Sequence, residues 1–152
     1  MASSAIPSAI RVREAVRSDA AKLAPLCGQL GYPSTDEQVA ARLEGIIAIT
    51  PEHALFVAET PSGELAGFLD VYMMRTIESD VRSEVAALVV DEAHRSKRVG
   101  QRLIERAEEW ARQRGCTAIG LRSNVIRERA HRFYERLGYQ HTKTQKSFRK
   151  PL

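Results

Sequence analysis

The stretch of this 152-residue chain with the clearest chemical content is LVVDEAHRSKRVGQRL, residues 88–103. An apolar run, read as the end of a strand, enters a basic loop that opens directly into a long helix. A helix start presents N–H groups without intrahelical acceptors and the positive end of the helix dipole. That combination suits a phosphate. Gly100 lets a phosphate approach the backbone with no side chain in the way, and Arg95, Lys97 and Arg98 add charge. The candidate anion-binding run is therefore Arg95, Ser96, Lys97, Arg98, Val99, Gly100 and Gln101.

Other reactive types fit ordinary roles. Tyr134 is spaced with Ala130 and Leu137 as a core position of a helix. Cys27 continues an apolar stripe and Cys116 follows the helix-ending Gly115, so both read as buried thiols. The four histidines make no metal spacing, and no metal site is expected. His94 reads as a surface residue of the basic loop and His131 as a helix-face residue.

The elements that must position these residues follow from periodicity. Residues 10–16 alternate as a first strand, and Ser18 or Asp19 can cap a helix carrying Leu23, Leu26, Cys27 and Leu30 up to Gly31. Thr35 and Gln38 have capping-box spacing ahead of Val39, Leu43, Ile46 and Ile47, a helix that stops before Pro51. Residues 54–59 and 65–73 predict an antiparallel hairpin around Pro61-Ser62-Gly63. Residues 84–90 predict a third strand. Val99, Leu103, Ala107, Trp110 and Ala111 share one face of a helix over 99–114. A short strand at 117–122, a helix ended by Gly138 and a closing strand at 139–148 complete the order. The strand-helix-strand unit requires parallel neighbours, so the expected fold is α/β with a mixed, mostly antiparallel central sheet and about four helices. Residues 1–9 are expected to form a loose tail, since MASSAIPSAI has neither the basic start nor the apolar core of a signal peptide. Residues 10–152 are expected to form one domain.

Composition fits an ordinary globular chain, with 43% hydrophobic and 28% charged residues. No apolar run approaches the ~20 residues of a bilayer span, which argues against a membrane partner. The net charge of +4 leans on Arg114, Arg122, Arg127, Arg129, Arg132, Arg136 and Arg149. Aromatic residues make up only 6%, too few for a base-stacking nucleic-acid module.

Residues 95–100 resemble the pyrophosphate signature of the GNAT superfamily of N-acetyltransferases, (Arg or Gln)-x-x-Gly-x-(Gly or Ala), preceded by Val90-Asp91 and an apolar strand. Arg98 stands where that signature has its first glycine. A second stretch, SNVIRERAHRFYERLGY (residues 123–139), resembles the family's other hallmark, ending Phe133-Tyr134-Glu135-Arg136-Leu137-Gly138-Tyr139. One helix and one strand separate the two motifs, as in the family.

The resemblance implies direct transfer of an acetyl group from acetyl-CoA, as co-substrate, to a primary amine of a small molecule or peptide. It implies that Tyr134 protonates the departing thiolate, and a phenol of pKa ~10 can donate to a thiolate whose conjugate acid lies near ~8.5. The family's asparagine often lies seven residues before that tyrosine, where this chain has Arg127; Asn124 lies ten before. Either can contact the cofactor. A strand N–H among Leu88, Val89 and Val90 would stabilise the oxyanion. The base candidate is Glu84, expected to start its strand, with Glu78 and Asp80 as rivals. Gln29, Tyr32, Tyr72 and Arg75 are candidates for the acceptor pocket. The C-terminal half is also similar to some aminoglycoside N-acetyltransferases, whose cationic substrates would need carboxylates such as Glu52, Glu59, Glu64, Glu78 and Asp80 to gather. A non-catalytic CoA-binding sensor is the rival of another class, and retention of Tyr134 argues against it. A homodimer pairing near the closing strand and a cytoplasmic location are expected.

Overall fold

The computed structural model describes residues 9–152 as two compact units, residues up to Leu121 and Arg122–Leu152. The first contains β1 (Arg11–Glu14), a 3-10 turn (Arg17–Asp19), α1 (Ala20–Leu30), α2 (Asp36–Ile47), β2 (His53–Glu59), β3 (Leu65–Thr76), β4 (Ser79–Val90), α3 (Val99–Gln113) and β5 (Ile119–Leu121). The second contains α4 (Glu128–Arg136). The sheet runs β1-β2-β3-β4-β5; β1 to β4 are antiparallel neighbours and β5 joins β4 in parallel. This is the mixed sheet with four helices that the periodicity implied.

Both faces of the sheet are covered. Leu55, Val57, Phe68 and Val89 form a core with Leu23, Leu26, Val39 and Leu43 of α1 and α2. On the opposite face Leu103, Ile104, Ala107 and Trp110 of α3 are almost fully buried, and the Arg106 guanidinium lies 4.5 Å over the Phe56 ring. The capping box forms as spaced: Thr35 Oγ1 accepts from the Gln38 N–H at 3.1 Å, and Gln38 returns the bond at 3.0 Å.

Gly67 of β3 sits where the backbone of β4 leaves no room for a side chain. A Cβ there would lie 2.5 Å from the Val89 carbonyl oxygen, 3.3 Å from Val90 Cα and 3.4 Å from Leu103 Cδ1. Backbone atoms cannot swing aside as a side-chain tip can. Gly67→Ala is expected to cost about 1–3 kcal/mol, readable as a fall of several degrees in the thermal midpoint. An unchanged midpoint would show that β4 yields freely.

Several expectations are corrected. Residues 139–148 form no strand; residues 140–152 are exposed, and Lys143, Lys146, Arg149 and Lys150 leave them too polar to gain by burying a face. β4 begins at Ser79, so Glu84 lies within the strand, not at its start. Asp19 precedes α1, yet its carboxylate gives no cap. It accepts from the Val16 N–H at 2.8 Å and from both terminal nitrogens of Arg13 at 2.8 and 3.0 Å. Burial raises the pKa of this carboxyl, and the Arg13 and Val16 bonds outweigh it to leave a net lowering. Cys27 and Cys116 are half-buried, not buried, and burial pushes both thiols up, away from the reactive thiolate. Of the expected tail, residues 1–8 lie outside the described residues.

Candidate functional site

The register of β4 changes within the strand. Asp70 pairs with Ala87 but Val71 pairs with Val85, so Ala86 is an extra residue, a β-bulge. Its effect on the backbone follows from the ladder. The Asp91 N–H bonds to the Ala66 carbonyl at 2.8 Å. Stepping back by two places Val89 and Ala87 in hydrogen-bonded pairs with Phe68 and Asp70. Leu88 and Val90 therefore turn their N–H and C=O groups away from β3. Before the bulge the parity is the reverse: the Ser83 N–H faces β5 and bonds to Ala118 O at 2.9 Å. Pairing with β5 covers only Ser83, Glu84 and Val85. Among the described residues no strand follows β4 beyond that point. Leu88 and Val90 thus present an open backbone edge, whereas Val89, the third residue considered for that task, spends its N–H on β3.

The open edge leads into the basic loop. Asp91 caps the 3-10 turn Glu92–His94, accepting from the Ala93 N–H at 3.2 Å and meeting His94 Nδ1 at 2.9 Å. Gln29 of α1 clamps the same turn: its amide donates to Asp91 Oδ1 at 2.8 Å and accepts from the Glu92 N–H at 3.1 Å. Those bonds hold Asp91 ionised below the usual carboxyl range, with Gln29 contributing most and His94 next. The structure thus places Gln29 at the loop, with both ends of its amide engaged there.

Ser96 (φ 67°) and Arg98 (φ 62°) are left-handed. Arg98 stands where the resembled signature has glycine, and it takes the glycine-like conformation regardless, at a cost of about 1–2 kcal/mol. That geometry turns the chain into α3. The first intrahelical bond runs from the Arg102 N–H to Arg98 O at 3.0 Å, so the amides of Val99, Gly100 and Gln101 precede the helix's own ladder. Val99 and Gly100 are buried, while Arg95, Ser96, Lys97 and Arg98 are exposed. Among the described residues no carboxylate pairs with Arg95, Lys97 or Arg98. The arrangement can hold a diphosphate at the helix start and an extended chain along Leu88 and Val90.

On the α1/α2 face, beyond the apolar core, runs a row of half-buried polar groups. His53 pairs with Tyr72, Tyr72 with Glu84 and Glu84 with Gly120 across successive strands. Glu84 Oε1 lies 3.3 Å from where a Gly120 Cβ would stand, so the glycine makes room for this carboxylate. His53 Nε2 meets Asp70 Oδ1 at 2.5 Å, and the His53 and Tyr72 rings are 5.8 Å apart. Reasoning from sequence missed His53 and Asp70; their pairing is long-range, and only the polar interruption of two apolar strands hints at it. Glu78 lies in the β3–β4 turn and Asp80 near the start of β4. Asp80 is about 20 Å along the strand from the bulge. Of the remaining acceptor candidates, Tyr32 is exposed after α1, and Arg75 is tied to Glu52 by bonds of 3.1 and 3.2 Å. Among the described residues no group of side chains could hold a metal ion, and no helix is long and apolar enough to cross a membrane.

In the second unit, Asn124 Oδ1 accepts from the Ile126 N–H at 3.1 Å, and its carbonyl oxygen receives the Arg127 N–H at 3.0 Å and meets His131 Nε2 at 2.9 Å. Asn124 thus builds the turn into α4, and Arg127 occupies the helix N-cap position. Tyr134 packs edge-on against Phe133 and Tyr139, with ring centroids 5.2 and 6.1 Å away. Burial pushes its phenol above the ordinary value, partly opposed by the positive charge of Arg127. Gly138 ends the helix in the left-handed conformation, with the Tyr139 N–H bonded to Tyr134 O at 3.0 Å.

The sequence pattern of the acetyltransferase (GNAT) family matches residues 19–139. The chain belongs to the GNAT acetyltransferase family. It is an acetyl-CoA-dependent N-acetyltransferase that acts on amines, with acetyl-CoA as its co-substrate. It is 36% identical over 80 residues to the aminoalkylphosphonate N-acetyltransferase of Salmonella typhimurium, spanning about half of each chain (52% and 52%). It is 28% identical over 126 residues to the aminoglycoside N(6')-acetyltransferase type 1 of Serratia marcescens, covering 80% of this chain and 86% of that one. The glucosamine-6-phosphate N-acetyltransferase of Arabidopsis thaliana superposes with a TM-score of 0.81 at 25% identity, covering 92% of this chain and 97% of that one.

Proposed function

We propose that this acetyltransferase binds acetyl-CoA with its pyrophosphate on the amides of Val99, Gly100 and Gln101, flanked by Arg95, Ser96, Lys97 and Arg98. The pantetheine arm then lies along Leu88 and Val90 as an extra strand. The observation that carries this reading is the bulge at Ala86, which turns those two backbone positions to the open side of β4 just before the anion-binding helix start. Of the second-unit candidates, Arg127 brings a positive charge for the phosphates, whereas Asn124 engages its carboxamide oxygen in the turn and keeps its Nδ2 donors.

Glu84 takes a proton from the acceptor ammonium, directly or through water, to free the nitrogen lone pair. The nitrogen attacks the thioester carbonyl carbon, a C–N bond forms, and an N–H on the open edge of β4 stabilises the oxyanion. As the C–S bond breaks, the thiolate takes the phenolic proton of Tyr134, and the amine nitrogen loses its remaining extra proton to solvent. The acceptor is a primary amine of a small molecule or peptide, with Tyr72 among the residues that shape its pocket. Residues 10–152 act as one catalytic domain in the cytoplasm, as a homodimer. Aminoglycosides are a second reading of the acceptor, supported by the extent of similarity to the Serratia enzyme and by the two carboxylates, Asp70 and Glu84, on one sheet face.

The test is calorimetric titration with acetyl-CoA and with desulfo-CoA, on the wild type and on Gly100→Asp. The wild type should bind both, since neither pyrophosphate nor pantetheine contact needs the sulfur. The substitution puts a carboxylate against the phosphates and should weaken binding at least about 10²-fold. The added charge suits a helix start, but Gly100 is buried, so lost binding counts as a lost phosphate contact only for a variant whose thermal midpoint shows it folded. No binding by the wild type, or equal binding by the variant, would overturn the assignment.

A further inference from the structure

Asp70 pairs across the sheet with Ala87, immediately beside the bulge. It lies on the same face as Tyr72 and Glu84, because residues two apart on a strand share a face. That face is apolar under α1 and α2, where Leu55, Val57 and Phe68 are buried, and turns polar at His53, Asp70, Tyr72 and Glu84. A half-buried aspartate interrupting an apolar strand requires a compensating partner. His53 supplies one bond, to Oδ1, and the Oδ2 oxygen keeps its accepting capacity. The side chains of His53 and Asp70 are 19% and 22% exposed, so the pair reaches solvent without being surrounded by it.

We propose that Asp70, positioned by His53, is the specificity-determining carboxylate of the acceptor pocket, and that it selects amines carrying a second cationic group. This deepens the reading above and rests on it: Glu84 receives the nitrogen to be acetylated, and Asp70 holds the other. Glu84 pairs with Tyr72, two residues along β3 from Asp70, so the two carboxylates are diagonal neighbours, roughly 7–8 Å apart at the backbone before the extra residue at Ala86 is counted. That separation suits two nitrogens about four or five carbons apart, the spacing of a linear diamine or of amines on an amino sugar. The same pair of carboxylates repels an acceptor bearing a phosphonate or phosphate.

The test compares steady-state rates with diaminopentane, pentylamine and an aminoalkylphosphonate, on wild type and variants that bind acetyl-CoA normally by calorimetry. The wild type should prefer diaminopentane to pentylamine in kcat/KM and turn over the aminoalkylphosphonate least. Asp70→Asn should cut the diamine preference about ten-fold or more, mainly through KM, and Asp70→Ser should do the same if the first variant folds poorly. His53→Ala should erode the preference less, and His53→Gln, which keeps a donor, should restore it. A purely structural role for the pair would lower both amines equally and leave the ratio untouched; that result would overturn the proposal, as would preferential use of the phosphonate. Loss of acetyl-CoA binding by the wild type is a separate result, which would instead sink the cofactor assignment.

Discussion

Tyr134→Phe is expected to lower kcat about 10²-fold while leaving acetyl-CoA affinity nearly unchanged. The phenylalanine ring keeps the edge-on packing against Phe133 and Tyr139, so only the hydroxyl is lost. The pH dependence separates this role from a packing role. Burial raises the phenol's pKa above about 10, so Tyr134 stays protonated through the neutral range and remains able to donate. Wild-type kcat should hold as pH rises, and decline on this group's account only once the phenol ionises, above that value. The variant should lack that alkaline decline. A variant with wild-type kcat would show that solvent, not Tyr134, protonates the thiolate.

Glu84→Gln should reduce kcat/KM for an amine acceptor about 10²–10³-fold near neutral pH. Glutamine preserves the volume of the side chain over Gly120, which limits the change to the carboxylate. The discriminating feature is recovery at high pH. An alkylamine loses its own proton near pH ~10, so the variant should regain much of the lost rate there, because the base is no longer needed. A deficit that stays constant with pH would assign Glu84 to binding. No deficit would move the base elsewhere, and the positions of Glu78 in the hairpin turn and Asp80 near the start of the strand leave water as the natural successor.

Local features of this chain are legible in its sequence. The Thr35–Gln38 box, the hairpin turn after Pro61, the apolar face of α3 and the basic loop at its start each depend on residues a few positions apart. What escaped depends on pairing between distant segments. Nothing in residues 84–90 announces an extra residue at Ala86, because a bulge exists only relative to the strand opposite, and so the choice among Leu88, Val89 and Val90 stayed open. The same holds for Gln29 clamping Asp91 and for His53 meeting Asp70, contacts 62 and 17 residues apart in the chain. The strand expected at 139–148 failed for a different reason: residues 140–148 are exposed and carry Lys143 and Lys146 with little apolar content, which leaves the segment no face to bury. The left-handed Arg98 shows the limit in the other direction, since the residue type argued against the conformation that the loop imposes.

The bulge at Ala86 has a consequence for the protein without its co-substrate. A strand with free N–H and C=O groups is a template for any other extended chain, and folded proteins keep such templates short or covered. Here the template spans only Leu88 to Val90 and stops where the chain bends at Asp91, too short to hold a foreign strand firmly. A ligand that lies along it, as proposed above for the co-substrate, would complete the sheet and cover the last of that template.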